Sequence, residues 1–191
     1  MKICDELVEM VRLANPDRHI DNIMRRLLKV LEELGETSEA CLSVSSPHNY
    51  KNKSWTDYRE ESCDTLIVLI DIALTPMTNF PAAYLIPPAL ATATEHHVES
   101  LEMLYHEKFK IAGAVASAAS HYSNNEMMGM LGALVRGIDA ASNMCFARIP
   151  EDDNREIIEQ RVLAIFEKKL DKWNASMKKY AATDNGFEVV R

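Results

Sequence analysis

Glycine is scarce in this chain, with 6 among 191 residues. No Gly-rich loop of the P-loop or dinucleotide type occurs, which excludes those two ways of cradling a phosphate. Cysteine is limited to Cys4, Cys41, Cys63 and Cys145, and no CxxC pair is present. A zinc site of the usual spacing is therefore excluded. Apolar runs are short of the roughly 18 residues that span a bilayer. The longest, around Leu66 to Leu74, is interrupted by Asp71. The opening MKICDELVEM carries acids where a signal peptide has a basic region and an apolar run. These absences predict a cytoplasmic protein with free thiols and no membrane partner. Positive charge is also in deficit: 21 Lys and Arg stand against 29 Asp and Glu, a net charge of −8. That balance argues against nucleic acid as a partner. No Ser-His-Asp or Cys-His order stands out either.

What is present points to helices. The length suits one domain with a real core. Apolar residues at 47% and charged residues at 26% fit a globular chain. Ten methionines and many alanines favour helix over sheet. No segment shows the two-residue alternation of a half-buried strand. The pattern predicts an all-α fold: one domain over residues 1–181, with a flexible tail at 182–191.

A first helix is expected over about residues 3–14, broken by Asn15-Pro16-Asp17, with Asp17 as N-cap of the next. The second runs from about 18 to 45, with Leu27, Val30, Leu31, Leu34, Ser38 and Cys41 on its inner face. A loop through Tyr50, Lys51, Asn52 and Lys53 leads to Ser54, the N-cap of a third helix over about 54–75. Pro87-Pro88 opens a fourth helical region, which reaches about Ser123 with a break near His106. A fifth helix spans about 125–148, and the last about 152–181 with a stripe of Ile158, Val162, Ile165, Trp173 and Met177.

The acids on the second and third helices are the chemical signal. Glu32-Glu33-Leu34-Gly35-Glu36 places Glu33 and Glu36 one turn apart on one face. Glu60-Glu61-Ser62-Cys63-Asp64 repeats the spacing with Glu61 and Asp64, and Asp71 lies two turns on along the same stripe. Either pair alone usually marks a solvated face. Together, and running into a nearly all-apolar helix, they predict carboxylates that converge near the interior. Such groups repel one another and are costly to bury unless paired. A hard divalent cation resolves that cost, because magnesium takes oxygen ligands and keeps water and substrate phosphates in its shell.

EExxE, a loop with lysines, then EExxD resembles the motif of the MazG-like branch of the all-α nucleoside triphosphate pyrophosphatases. Asn15-Pro16-Asp17-Arg18 is similar to a degenerate CPWD segment of longer members, and the resemblance covers about residues 12–75. It implies a four-helix-bundle core with additional N- and C-terminal helices. It implies Glu33, Glu36, Glu61 and Asp64 as ligands of Mg2+, with Mn2+ as a substitute. The implied reaction cleaves a nucleoside or deoxynucleoside triphosphate between its α and β phosphates, giving the monophosphate and pyrophosphate. Glu32 or Glu60 would orient the attacking water. Lys51 and Lys53 would contact phosphates, with surface solvation as the alternative. Asp71 is a further metal or sugar contact or a buried hydrogen-bonded group, and Trp55 is a base-stacking residue or part of the core. The family's habit implies a homodimer or homotetramer.

Residues 106–148 can be laid on the motif pair as a faded second copy. Lys110-Ile111-Ala112-Gly113-Ala114-Val115-Ala116-Ser117 then falls on residues 29–36, and Gly129 and Gly132 fall on Glu61 and Asp64. A second pair would complete a bundle within one chain. The dimeric dUTPases resemble that plan, which keeps a pyrimidine deoxynucleotide hydrolase open. His96-His97, Glu99, Glu102 and His106 lack the Glu-x-x-His pairs of a di-iron bundle and read as a solvated face. The rival of another class is a helical interaction module without turnover.

Overall fold

The computed structural model describes residues 2–15, 22–46, 48, 51–75, 86, 101–150, 152 and 154–182. Asp17, Tyr50, Phe80, Pro87-Pro88, His96-His97, Glu99 and the tail from 183 lie outside the described residues. Among the described residues the chain is all-helical. In chain order the helices are α1 (Lys2–Ala14), α2 (Ile23–Ser45), α3 (Trp55–Leu74), α4 (Leu101–Ser123), α5 (Met127–Cys145) and α6 (Arg155–Ala182). None is long and apolar enough to cross a membrane.

Four helices close a ring. α2 packs on α3, α3 on α5, α5 on α4, and α4 on α2. The two sequential hairpins, α2–α3 and α4–α5, therefore stand side by side as a four-helix core. α1 and α6 pack against each other and against the outer side of α3. α3 is thus covered on nearly every side, which explains its mostly apolar run from Leu66 to Ala73: Leu66, Ile67, Leu69, Ile70, Ile72 and Ala73 are all buried. Close approach at the centre depends on Gly137 of α5. A Cβ there would sit 3.3 Å from the Ala114 Cβ and 3.4 Å from Leu69.

Local signals explain the helix ends. Ser54 and Asp57 form a capping box: the Asp57 amide donates to the Ser54 hydroxyl at 3.1 Å, and the Ser54 amide donates to the Asp57 carboxylate at 2.6 Å. Asn154 caps α6 by accepting from the Ile157 amide at 3.1 Å. Asn125, at φ 59°, turns α4 into α5 in the left-handed region that asparagine tolerates. The expected break near His106 is absent, since α4 runs uninterrupted through it to Ser123.

The inner face of α2 differs from the expected one. Leu31 is 42% exposed, whereas Glu33 is 8% exposed and Thr37 is fully buried. The buried set is Ile23, Leu27, Val30, Glu33, Leu34, Thr37, Ala40, Cys41 and Ser43. The core stripe is rotated toward the acids because α3 packs on that side and brings polar partners with it. On α6, Ile158, Val162 and Ile165 are buried as expected, joined by Phe166 and Leu170.

One buried ion pair ties the outer layer to the core. The Arg59 guanidinium of α3 donates to both Asp152 oxygens, at 2.9 and 2.6 Å, and to the Cys145 and Ala147 carbonyls at 3.2 and 2.7 Å. Asp152 also accepts from the Ile149 amide at 3.0 Å and from Arg161 of α6 at 2.9 Å. A buried pair holds only when its remaining donors and acceptors are satisfied, and here they are. The start of α6 is pinned by this cluster.

The burial along α4 repeats that along α2 on the register of the faded copy. Lys29 and Lys110 are exposed, whereas Val30, Glu33, Leu34 and Thr37 on α2 and Ile111, Ala114, Val115 and Ala118 on α4 are all buried. Where Glu61 has its counterpart Gly129, a Cβ would lie 2.4 Å from the His121 ring.

Candidate metal centre

Two hydroxyls set the acids across from each other. The Thr37 hydroxyl donates to the Glu33 carbonyl at 2.9 Å, and the Thr65 hydroxyl donates to the Glu61 carbonyl at 3.2 Å. The two hydroxyl oxygens meet at 3.3 Å between α2 and α3. One turn back from each lie Glu33 and Glu61, and Asp64 stands one turn beyond Glu61. The capping box upstream fixes the phase of α3, and with it the direction of these side chains.

Carboxylate oxygens of Glu33, Glu61 and Asp64 lie within 4.8 Å of one another. Oxygens bound to one magnesium ion at about 2.1 Å can be up to about 4.2 Å apart, so small side-chain rotations bring all three to a shared ion. The donor set is all oxygen, which suits a hard cation. These three of the four expected ligands converge. Glu36 is exposed and outside the trio, although it feels the others: burial, then the charges of Glu33 and Glu61, raise its pKa.

Lysines from three elements offset the repulsion. Lys29 of α2 contacts Glu33 at 2.8 Å and Glu32 at 3.0 Å. Lys53, just before α3, stands 3.5 Å from Glu61. Lys169 of α6 pairs with Asp64 and lies 4.0 Å from Glu60. Burial is the largest influence on Asp64. It outweighs the pull of Lys169 and, with the charges of Glu33 and Glu61, pushes the carboxyl up to about 6. Burial works against the Lys169 ammonium, yet its contact with Asp64 and the charges of Glu61 and Glu60 raise its pKa. Both shifts have one origin: several acids share a poorly solvated space.

The remaining expected residues divide. Glu60 binds Lys168 at 2.8 Å, and Lys51 binds Glu39 at 2.8 Å rather than reaching the trio. Asp71 is 1% exposed, accepts from Asn15 at 3.0 Å and pairs with Arg26 at 3.1 Å. Trp55 is partly buried and packs against the core, edge-on to Tyr58 with ring centroids 5.9 Å apart.

A cavity of about 260 Å³ adjoins the trio between α2, α3 and α6. Glu33 and Asp64 close one end. Ile67, Val68, Leu170 and Trp173 form its apolar wall. Arg26 and Asp71 line it two turns further along α2 and α3. Sequence reasoning did not find Arg26, Lys29, Lys169 or Trp173 as site residues. Lys29 carries a local signal, since it precedes Glu33 by four residues. Nothing local marks Lys169 or Trp173, which arrive from a helix more than 100 residues downstream. Comparison with protein-family models, curated proteins and solved structures finds no match.

Proposed function

We propose that this chain is a magnesium-dependent nucleoside triphosphate pyrophosphohydrolase, with manganese as a substitute ion. It would convert a nucleoside or deoxynucleoside triphosphate and water to the monophosphate and pyrophosphate. The observation that carries the reading is the convergence of Glu33, Glu61 and Asp64 within 4.8 Å, beside a cavity edged by cationic side chains. The paired acidic motif resembles that of the MazG-like pyrophosphatases, and the reading brings with it a cytoplasmic homodimer or homotetramer.

Glu33, Glu61 and Asp64 would hold the ion. When bound, a divalent cation offsets phosphate charge and lowers the pKa of a coordinated water. The chain's own groups supply the rest. Lys29, Lys53 and Lys169 each engage one carboxylate of the trio. Once those carboxylates have another counter-charge, the three ammonium groups are released to bind phosphate oxygens. Glu60 or Glu32, outside the trio, accepts the proton of the attacking water. Positioning and preorganised charge account for most of the rate in such a site.

The same ion pairs favour one rival reading, a non-catalytic helical interaction module, because each acid of the trio already has a lysine. One measurement separates them. Pyrophosphate release is followed over the common nucleoside and deoxynucleoside triphosphates with magnesium, alongside melting curves with and without the ion. The hydrolase releases pyrophosphate from at least one substrate and melts higher with magnesium. No release from any of them, with an unmoved melting curve, overturns the proposal.

A further inference from the structure

The spacing of the acid trio depends on the two threonines beside it. Thr37 of α2 and Thr65 of α3 are both fully buried, and their hydroxyl oxygens meet at 3.3 Å across the seam between the helices. Each hydroxyl is also tied to a residue that carries an acid: Thr37 to the Glu33 carbonyl at 2.9 Å, and Thr65 to the Glu61 carbonyl at 3.2 Å. From the other hairpin, Lys108 of α4 donates to the Thr37 carbonyl at 3.4 Å. This turn of α2 is therefore held from both neighbouring helices. Glu33 and Glu61 each stand one turn from the seam, so the distance between their backbones follows the distance between the threonines.

Two oxygens can meet this closely, whereas two carbon atoms rest at about 3.5–4.0 Å. Exchanging the hydroxyls for methyls therefore widens the seam by roughly 0.2–0.7 Å. Ions differ on the same scale. Magnesium takes oxygens at about 2.0–2.1 Å in near-ideal octahedral geometry, and calcium at about 2.3–2.6 Å in flexible geometry. Across an ion, facing oxygens then stand roughly 0.4–1.2 Å further apart for calcium. The acids have little slack to absorb such a change, since Glu33 is buried and Asp64 has a single methylene. We propose that Thr37 and Thr65 are positioning residues that gauge the ion site, holding α2 and α3 close enough to favour magnesium over calcium. The inference rests on the reading of Glu33, Glu61 and Asp64 as ion ligands.

Valine separates this role from a merely structural one. Thr37→Val keeps the branched shape and strands no buried polar group, because the Glu33 carbonyl keeps its partner within the helix and Thr65 keeps the Glu61 carbonyl. Melting curves over a series of magnesium chloride and of calcium chloride concentrations give an apparent Kd for each ion. The wild type prefers magnesium. Thr37→Val moves the ratio of the two Kd values toward calcium by about tenfold or more, the scale on which outer-shell partners act. Thr65→Val moves it in the same direction, and reads the seam from α3 if Thr37→Val does not fold. Thr37→Ser keeps the hydroxyl and retains the wild-type ratio. An unchanged ratio in the valine variants overturns the gauge, as does a wild type that prefers calcium or a serine variant altered as much as the valine one. Pyrophosphate release alongside any of those results leaves the hydrolase standing. A ratio that shifts as expected in a protein releasing no pyrophosphate keeps the gauge and sinks the hydrolase. A wild type whose melting answers to neither ion overturns both the gauge and the ion site beside it.

Discussion

Lys169 and Asp64 form an ion pair across 105 positions of the chain, joining the last helix to the acidic face of α3. The pair does two things at once. It supplies a positive charge to a trio of carboxylates that would otherwise repel, and it sets one wall of the adjoining cavity. α6 can do this because Arg59, Asp152 and Arg161 anchor its start.

Removing that charge separates its two roles. Lys169→Met leaves Glu33, Glu61 and Asp64 with less compensation, so the metal-free protein is expected to melt a few degrees lower. Magnesium then has more repulsion to relieve, and the rise in melting temperature on adding it is expected to exceed that of the wild type. Paired thermal melts, with a chelator and with excess magnesium, check both signs.

The trio and its neighbour are expected to differ in rank. Alanine at Glu33, Glu61 or Asp64 should lower pyrophosphate release at least about a hundredfold, since even outer-shell partners of a metal site cost 10–100-fold. Alanine at the exposed Glu36 should cost less. Circular dichroism of each variant establishes that the helices persist, and steady-state rates with magnesium give the ranking.

Arg59→Met should be among the most destabilising single changes. Among the described residues it leaves Asp152 buried with Arg161 and the Ile149 amide, and stranding one partner of a buried pair costs about 3–5 kcal/mol. Urea denaturation reads the loss directly. The Lys169 contact should weaken with it, because the anchor of α6 is gone.

The same anchor gives the protein a predictable acid limb. Burial works to raise the Asp152 pKa, but the Arg59 hydrogen bonds, the Ile149 amide and the charge of Arg161 outweigh it and hold it below the ordinary value of 3.8. A depressed carboxyl contributes stability that is fully present above its unfolded pKa and is lost as pH falls through the lower folded value. Stability against urea should therefore decline below about pH 4. The decline should be shallower in Asp152→Asn, which starts less stable at neutral pH.

Gly129→Ala tests the packing of the second hairpin. The added methyl would meet the His121 ring at 2.4 Å, so that partly exposed ring must turn away from its 2.6 Å contact with Glu126. The variant is therefore expected to gain less than the about 1 kcal/mol that alanine has over glycine in a helix, and a full gain in urea denaturation would mean that the His121 side chain moves aside freely.

The helices and the acid trio were legible because their causes are local. A capping residue acts over three positions, and two carboxylates three residues apart share a face wherever the helix packs. Ser54 thus marked the start of α3, and spacing marked the pairs Glu33 with Glu36 and Glu61 with Asp64, which the family resemblance then implied as four ligands. Periodicity was less certain about which way a helix faces. Leu31 looks as core-like as Leu34 in sequence, yet it is exposed because α3 and α4 pack on the other sides of α2.

Sequence by itself determined the helical class, the two acidic pairs and the absence of any long apolar run. Tertiary structure decided that Glu36 stands apart while Glu33 turns inward, that Asp71 is held by Asn15 and Arg26, and that Lys169 and Trp173 complete the site from the far end of the chain. The reason is the range of the forces involved. Helix formation depends on neighbours a turn away, whereas the balance of buried charge depends on whichever side chains the packing of distant helices brings within a few ångströms.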